Sequence, residues 1–153
     1  MTKGSAATDH SVEQARSILR RHGLRCTAPR LAVTSVLFAV PEAGHLNAQE
    51  IVALLEERGD PVDLTTVYRT LATLVDVGAL HALTVHERTT YGLTANAHHH
   101  AVCTSCGEVI EVPAEQLSQA LAHASDGSRF ALSATAGLTL HGLCPRCQLQ
   151  ASG

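Results

Sequence analysis

The chain has 153 residues, of which 45% are hydrophobic and 16% are charged, and its formal net charge is −3. These proportions are typical of a globular protein and exclude a disordered chain. No apolar run approaches the ~20 residues of a membrane span and the polar N-terminus does not resemble a signal peptide, so we expect a cytoplasmic protein.

The N-terminal part of the chain predicts a polar tail followed by two helices. Residues 1–10 are small and polar and are expected to form a loose tail. Ser11 begins a capping-box pattern that predicts a helix through about His22. Pro29 suits the first turn of a second helix, which is expected to continue through Val40.

Two further helices carry N-terminal caps in the sequence. Asn47 and Glu50 form a second capping box, which predicts a helix through Glu57. Asp63 can cap a fourth helix over residues 64–77. The fourth helix has one apolar face, as a helix packed against a domain core has.

After Gly78 the apolar residues follow a strand-like pattern. Alternation over residues 80–85, followed by Tyr91 and Leu93, predicts a hairpin with a polar tip at residues 87–90. Helices followed by a hairpin indicate a winged helix, in which the fourth helix would enter the major groove of DNA.

The remainder of the chain is predicted to form strands over residues 99–103, 108–112 and 131–140, with a helix over residues 114–124. We therefore expect an α+β protein. An N-terminal winged-helix, DNA-binding domain would occupy residues 1–87, and a small C-terminal α/β domain would occupy residues 88–153.

Four of the five cysteines form two Cys-x-x-Cys pairs, Cys103 with Cys106 and Cys144 with Cys147. Two intervening residues let both thiolates of a pair reach one ion, and two such pairs complete a tetrahedron around Zn²⁺. A redox dithiol would need only one pair, so the spacing favours structural zinc. Cys26 stands apart and is expected to pack as a small hydrophobic residue.

Basic residues are concentrated between Gln14 and Pro41, a segment that has no acidic residue and contains Arg16, Arg20, Arg21, Arg25 and Arg30. Such a patch is typical of a surface that meets phosphates, although a solvated helix face would have the same composition. The net negative charge does not exclude a nucleic-acid partner, because charge acts locally.

Several motifs in combination resemble the ferric-uptake-regulator (Fur) family. They are Asp63-Leu-Thr-Thr-Val-Tyr-Arg-Thr-Leu71, Arg25-Cys-Thr-Ala-Pro-Arg30, the run His98–His100 before the first cysteine pair, and the late Cys144-x-x-Cys147. The resemblance covers almost the whole chain from about Ser11. It implies a winged helix that binds palindromic, AT-rich operator DNA, a C-terminal dimerisation domain that forms a homodimer, and a metallated dimer that represses transcription.

The resemblance also assigns roles to individual residues. DNA contacts would come from Arg25, Arg30, Thr65, Thr66, Tyr68 and Arg69. The paired cysteines would hold structural Zn²⁺. A second, regulatory divalent metal would bind between the domains, with ligands from His45, His81, His98, His100 and Glu111.

The regulatory ligand set departs from the family pattern at one strand. Where other members carry an acid or cysteine ligand, this chain has Tyr91-Gly92-Leu93. His81 corresponds to an aspartate ligand of zinc-sensing members and is the candidate to fill the vacancy, ahead of His86 and Glu87. A further family site would use positions 97, 99, 118 and 136, of which only His99 can ligate, so we predict that this site is absent or degenerate.

A histidine-rich site with one carboxylate suits Zn²⁺, while imidazole also accepts Fe²⁺, Ni²⁺ and Mn²⁺. We therefore predict a zinc-responsive repressor of metal-homeostasis genes, with an iron-responsive, manganese-responsive or peroxide-sensing repressor as the alternative. Outside the family, the alternatives are a zinc hydrolase that uses the histidine cluster and a zinc-knuckle interaction module. The sequence has no His-Glu-x-x-His motif and no evident general base, and the basic helices argue against the module.

Overall fold

The computed structural model describes residues 3–40, 45–94, 98–131 and 137–152. The chain divides into two compact units, Met1–Leu93 and Thr94–Gly153. Among the described residues, no helix has the length and apolar character needed to cross a membrane.

The first unit is a winged helix, as the sequence predicts. Its elements are α1 (Lys3–Arg21), α2 (Ala28–Ala39), α3 (Ala48–Glu57), α4 (Leu64–Asp76), β1 (Leu80–Val85) and β2 (Arg88–Leu93). Aliphatic side chains from all four helices form one core, whose fully covered members include Leu19, Val33, Val36, Ile51, Val67, Leu71 and Leu74. This core stabilises the unit and fixes which face of α4 remains exposed.

Both predicted caps of the later helices are confirmed. The Asn47 side chain accepts a hydrogen bond from the Glu50 amide (2.9 Å), and the Glu50 carboxylate accepts one from the Asn47 amide (2.8 Å). Asp63 accepts from the Thr66 amide at 2.9 Å and from the Thr66 hydroxyl at 2.6 Å. These two bonds lower the pKa of Asp63, so the cap of α4 is charged at neutral pH.

The predicted start of α1 is wrong. The helix already includes Lys3, so residues 3–10 are helical instead of forming a loose tail, and residues 1–2 lie outside the described residues. Ser11 is 3% exposed and lies in mid-helix, where it does not serve as an N-cap. The preceding segment contains Ala6 and Ala7, which favour helix, and it contains no proline.

The hairpin of the wing turns earlier than predicted. β1 and β2 pair from Leu80 with Leu93 to Val85 with Arg88, which leaves only His86 and Glu87 in the turn. Both turn residues have positive φ, 48° and 63°, as a two-residue hairpin turn requires. His-Glu lacks the Asn-Gly signature of such turns, so no local signal marks the tip in the sequence. Because β2 pairs along its whole length, the first unit extends to the end of that strand.

The second unit has a three-stranded sheet in the order β4-β3-β5. Its elements are β3 (His98–Cys103), β4 (Val109–Pro113), α5 (Ala114–Ser128), β5 (Thr139–Gly142) and α6 (Pro145–Ala151). β3 pairs antiparallel with β4 and parallel with β5. Together with the winged helix, this sheet and its helices confirm the predicted α+β class.

Three details of the second unit differ from the sequence prediction. α5 continues four residues beyond the predicted end at Ala124, to Ser128. β5 begins at Thr139, whereas the predicted strand began at 131; residues 132–136 lie outside the described residues. α6 was not predicted, because seven residues give too short a pattern to recognise, although Pro145 occupies its first turn.

We predict that Asn47→Ala lowers the free energy of unfolding by about 1 kcal/mol, because it removes the acceptor for the Glu50 amide. Urea titration followed by circular dichroism measures this change. Gln49→Ala is the matched control, since Gln49 is exposed on the same helix. Equal losses in the two variants would contradict the capping role.

Candidate metal centres and nucleic-acid interface

The four paired cysteines converge at one end of the second unit's sheet. Cys103 ends β3, Cys106 follows in the next turn, and Cys144 and Cys147 flank the start of α6. Their sulfur atoms lie within 4.8 Å of one another, and the Cys106 and Cys144 sulfurs are 3.7 Å apart. Zn–S bonds of about 2.3 Å in a tetrahedron place two sulfurs about 3.8 Å apart. The four thiols therefore fit a structural zinc ion.

The surroundings of two of the four cysteines favour the thiolate, whereas burial and the Cys147 side chain raise the pKa of Cys144 to about 12. Backbone amides of Cys106 and Cys144 donate hydrogen bonds to the Cys103 sulfur and lower its pKa to about 6. The Glu108 amide, followed by the Arg146 side chain, lowers the pKa of Cys106. Thiolates are the metal-binding form of cysteine, so both shifts prepare the site for a cation. Sequence reasoning missed Arg146, whose only signal was its place inside the second cysteine pair.

Three predicted regulatory ligands come together in the second unit. Alternate residues of a strand share a face, and the rings of His98 and His100 accordingly meet edge to face with centroids 4.8 Å apart. Glu111 pairs with His100 in the β3–β4 register, and its carboxylate lies 3.8 Å from His98 Nε2. Two imidazoles and one carboxylate thus form a cluster of candidate metal ligands within this unit, here called a half-site.

His100 is suited to ligation because its neutral form is favoured. The side chain is 3% exposed, and burial, with a further contribution from His98, lowers the pKa of its imidazole. A neutral ring offers a nitrogen lone pair to a metal without first losing a proton.

His99 points to the other face of β3 and has a different role. It is 2% exposed, and its Nδ1 accepts a hydrogen bond of 3.0 Å from the Leu138 amide. This bond ties the segment before β5 to β3. Positions 97 and 136 of the predicted degenerate site lie outside the described residues, and the Ser118 hydroxyl donates to the Glu115 carbonyl. The absence of that site stays a prediction.

The first unit holds the other two predicted ligands. Leu46 and Tyr91 form an isolated antiparallel bridge with N–O distances of 3.1 and 2.8 Å, which ties the segment before α3 to β2. His45 directly precedes this bridge, and His81 lies on β1. Their Nε2 atoms are 2.6 Å apart. The winged-helix unit therefore presents a pair of imidazoles of its own.

The predicted DNA-binding residues lie on the exposed side of the winged helix. On α4, Thr65, Tyr68 and Arg69 are exposed, whereas Val67 and Leu71 are fully buried. Thr66 is half-buried, and its hydroxyl donates a hydrogen bond to the Asp63 carboxylate at the N-cap of α4. Arg25 is exposed just before α2, where its carbonyl accepts a hydrogen bond of 3.4 Å from Arg30. The N-terminal turns of α4 thus combine hydroxyl, phenol and guanidinium groups on one accessible face.

Comparisons with known proteins match this chain to one family over most of its length. The family model of the ferric uptake regulator family matches residues 21–139. A ferric uptake regulation protein from Synechococcus elongatus is 32% identical over 133 residues, which cover 85% of this chain and 90% of that protein.

Solved structures agree with the sequence matches. A ferric uptake regulator from Pseudomonas aeruginosa, determined with manganese, has a TM-score of 0.74 at 28% identity and covers 86% of this chain and 98% of its own. A zinc uptake regulator complexed with zinc and DNA has a TM-score of 0.59 at 25% identity, and the match covers 95% of this chain and 98% of that one.

We predict that Cys106→Ser removes one tightly held zinc ion per chain and lowers the melting temperature, because a three-thiolate site binds zinc more weakly and zinc binding contributes to folding. Elemental analysis after dialysis against a mild chelator measures the loss. Cys106 is exposed, so the substitution removes no core packing. Cys26→Ser is the matched control, and zinc retained equally in both variants would refute the assignment.

We also predict a pH effect of His100 on stability. Its pKa is lowered below 6.5 in the folded chain, so the unfolded chain binds more protons as the pH falls through about 6.5. The free energy of unfolding without added metal should therefore decrease below that pH, and less steeply in His100→Gln. Urea titrations between pH 7 and 5 provide the slopes. His123→Gln, at an exposed position of α5, should keep the wild-type slope, and identical slopes for all three proteins would contradict the prediction.

Proposed function

Because the chain belongs to the ferric uptake regulator family of metal-responsive transcriptional regulators, we propose that it is a zinc-responsive repressor of metal-homeostasis genes. The observation that carries this proposal is a pair of close imidazoles in each unit. His45 and His81 lie 2.6 Å apart at Nε2, and the His98 and His100 rings lie 4.8 Å apart. Glu111 is the one carboxylate of the proposed set, and imidazole-rich sites suit Zn²⁺.

The proposed switch follows from the division of these ligands between two units. We propose that one ion binds His45 and His81 from the winged helix, and His98, His100 and Glu111 from the second unit. When bound, the metal supplies a Lewis-acid link between the two half-sites. Such a link stabilises one arrangement of the winged helix relative to the rest of the chain, and that difference in free energy is what an allosteric switch requires.

The DNA partner is supported by the exposed face of α4. A helix N-terminus carries partial positive charge toward phosphate. Arg69 can donate to phosphate or guanine, and the Tyr68 ring, 47% exposed, can contact thymine methyl groups in an AT-rich site. Arg25 and Arg30, around the start of α2, add positive charge to the same unit. With operator DNA as the partner, we propose that the protein acts in the cytoplasm.

A homodimer is supported by apolar surface on the second unit. Ile110 is 57% and Leu140 is 42% exposed in the single chain, and no described residue of α5 is buried. Apolar surface of this kind marks an interaction site. A second copy that covers it would form a two-fold dimer, and a two-fold dimer reads a palindromic operator.

Iron or manganese is the second candidate for the regulatory ion. Glu111 contributes an oxygen ligand, and the Pseudomonas aeruginosa relative was determined with manganese. Peroxide sensing is less well supported, because the ligand set has a single carboxylate. The relatives are transcription regulators, so the zinc-hydrolase alternative has no support from them.

We predict that Zn²⁺ raises operator-DNA affinity by roughly tenfold or more, the usual size of an allosteric coupling, and that His98→Ala abolishes this rise. Fluorescence anisotropy at fixed salt, with Zn²⁺, Fe²⁺, Mn²⁺ and Ni²⁺ titrated separately, measures it. The cysteine-bound zinc should remain in place throughout. His123→Ala is the matched histidine control and should respond like the wild type. Equal DNA affinity with and without every metal would refute the proposed function.

A further inference from the structure

Gly92 lies between the two histidines of the winged-helix unit. In the hairpin register, Gly92 pairs directly with His81. On its other side, the bridge between Tyr91 and Leu46 places His45 beside Gly92. Three neighbouring backbone segments therefore carry histidine, glycine and histidine in one row.

The side chains of this row share one face. Residues paired directly across antiparallel strands point the same way, and successive residues point opposite ways. Leu46 and Tyr91 consequently occupy one face, and His45 and His81 occupy the other, above Gly92. Neighbouring strands are about 4.8 Å apart, so the two histidine backbones are separated by roughly 10 Å. The imidazoles nevertheless meet at 2.6 Å, which means that they reach toward each other over Gly92.

The contact depends on the missing side chain at position 92. Gly92 is buried, and any Cβ there would project from the middle strand into the space where the two rings meet. Glycine inside a strand weakens it, and its presence commonly marks a close approach of other groups. The close approach in this case is made by two imidazole rings.

We propose that Gly92 is the specificity-determining residue of the regulatory site. Without a side chain at this position, the candidate ligands of the winged-helix half-site among the described residues are the two imidazoles of His45 and His81, with no carboxylate beside them. This inference rests on the proposed function, since it concerns the choice of ion by that same site. The regulatory site should therefore bind Zn²⁺ and similar imidazole-preferring ions more tightly than Mn²⁺, which prefers oxygen ligands.

The geometry suits such an ion after a small adjustment. Two nitrogens bound to one tetrahedral Zn²⁺ at about 2.05 Å are about 3.3 Å apart. The two Nε2 atoms at 2.6 Å need to separate by less than 1 Å to reach that spacing. Rotation of either ring provides this movement, since the terminal torsion of histidine is soft.

The test measures Zn²⁺ and Mn²⁺ affinities of the full-length chain that retains its cysteine-bound zinc. Competition titration gives the Zn²⁺ affinity, and electron paramagnetic resonance gives that of Mn²⁺. Gly92→Asp should lower the ratio of Zn²⁺ to Mn²⁺ affinity by roughly tenfold or more, because it separates the rings and adds an oxygen ligand. Gly92→Ala should weaken Zn²⁺ binding without strengthening Mn²⁺ binding.

Two further variants control for the effect of changing a strand glycine and for poor folding of the Gly92 variants. Gly142→Ala is the matched control, because it also changes a strand glycine but its Cβ meets nothing within 4 Å, and its metal affinities should not change. His81→Gln removes one ring without touching position 92, and should weaken Zn²⁺ binding even if the Gly92 variants fold poorly. Affinity ratios that stay within about twofold of wild type for Gly92→Asp would overturn the proposal. So would unchanged Zn²⁺ affinity in His81→Gln.

The results of these metal titrations can be distinguished from a failure of the proposed repressor function. The metal titrations contain no DNA, so they report ion selection even if operator binding proves insensitive to metals. Conversely, metal-dependent operator binding combined with an unchanged affinity ratio in Gly92→Asp would leave the repressor function standing and overturn the role of Gly92.

Discussion

Two hydrogen bonds between Leu46 and Tyr91 fix the segment before α3 against the wing, and the proposed switch depends on this bridge. The hairpin alone determines only the position of His81. His45 belongs to a different part of the chain, and the bridge at the next residue sets its distance from β1 and β2. Since metal ligands must converge within a few ångströms, the bridge is what turns two histidines into one half-site.

We propose that the cysteine site holds its ion permanently and that the histidine site binds its ion reversibly. A zinc ion in the cysteine tetrad would hold the end of β3 against the start of α6, and two of the four cysteines have a lowered pKa that favours the thiolate. The histidine half-sites would offer nitrogen ligands, from which the proposed sensing ion can exchange with the surrounding pool. A regulator needs both properties, because the sensing ion must leave while the fold stays intact.

Local signals in the sequence were sufficient where the structure depends on local contacts. The helix caps at Asn47, Glu50 and Asp63 use hydrogen bonds that span three residues. The spacing of the cysteine pairs likewise predicted that their four sulfur atoms converge. Prediction failed for two different reasons. The Ser11 capping pattern lies in mid-helix because the residues on both sides of it favour helix. The Leu46–Tyr91 bridge joins distant parts of the chain through a single pair, which leaves no periodic pattern in the sequence. His81 was identified by resemblance, but its contact with His45 across Gly92 depends on that bridge and is visible only in the structure.

A double-mutant cycle of exchangeable-zinc binding tests most directly whether ligands from both units hold one ion. Calorimetry would compare the wild type, His81→Ala from the first unit, His98→Ala from the second, and the double variant. A shared ion predicts one exchangeable zinc per chain, and a double variant that loses less binding free energy than the two single losses added together. Two exchangeable ions per chain, each abolished by one substitution and indifferent to the other, would contradict the account.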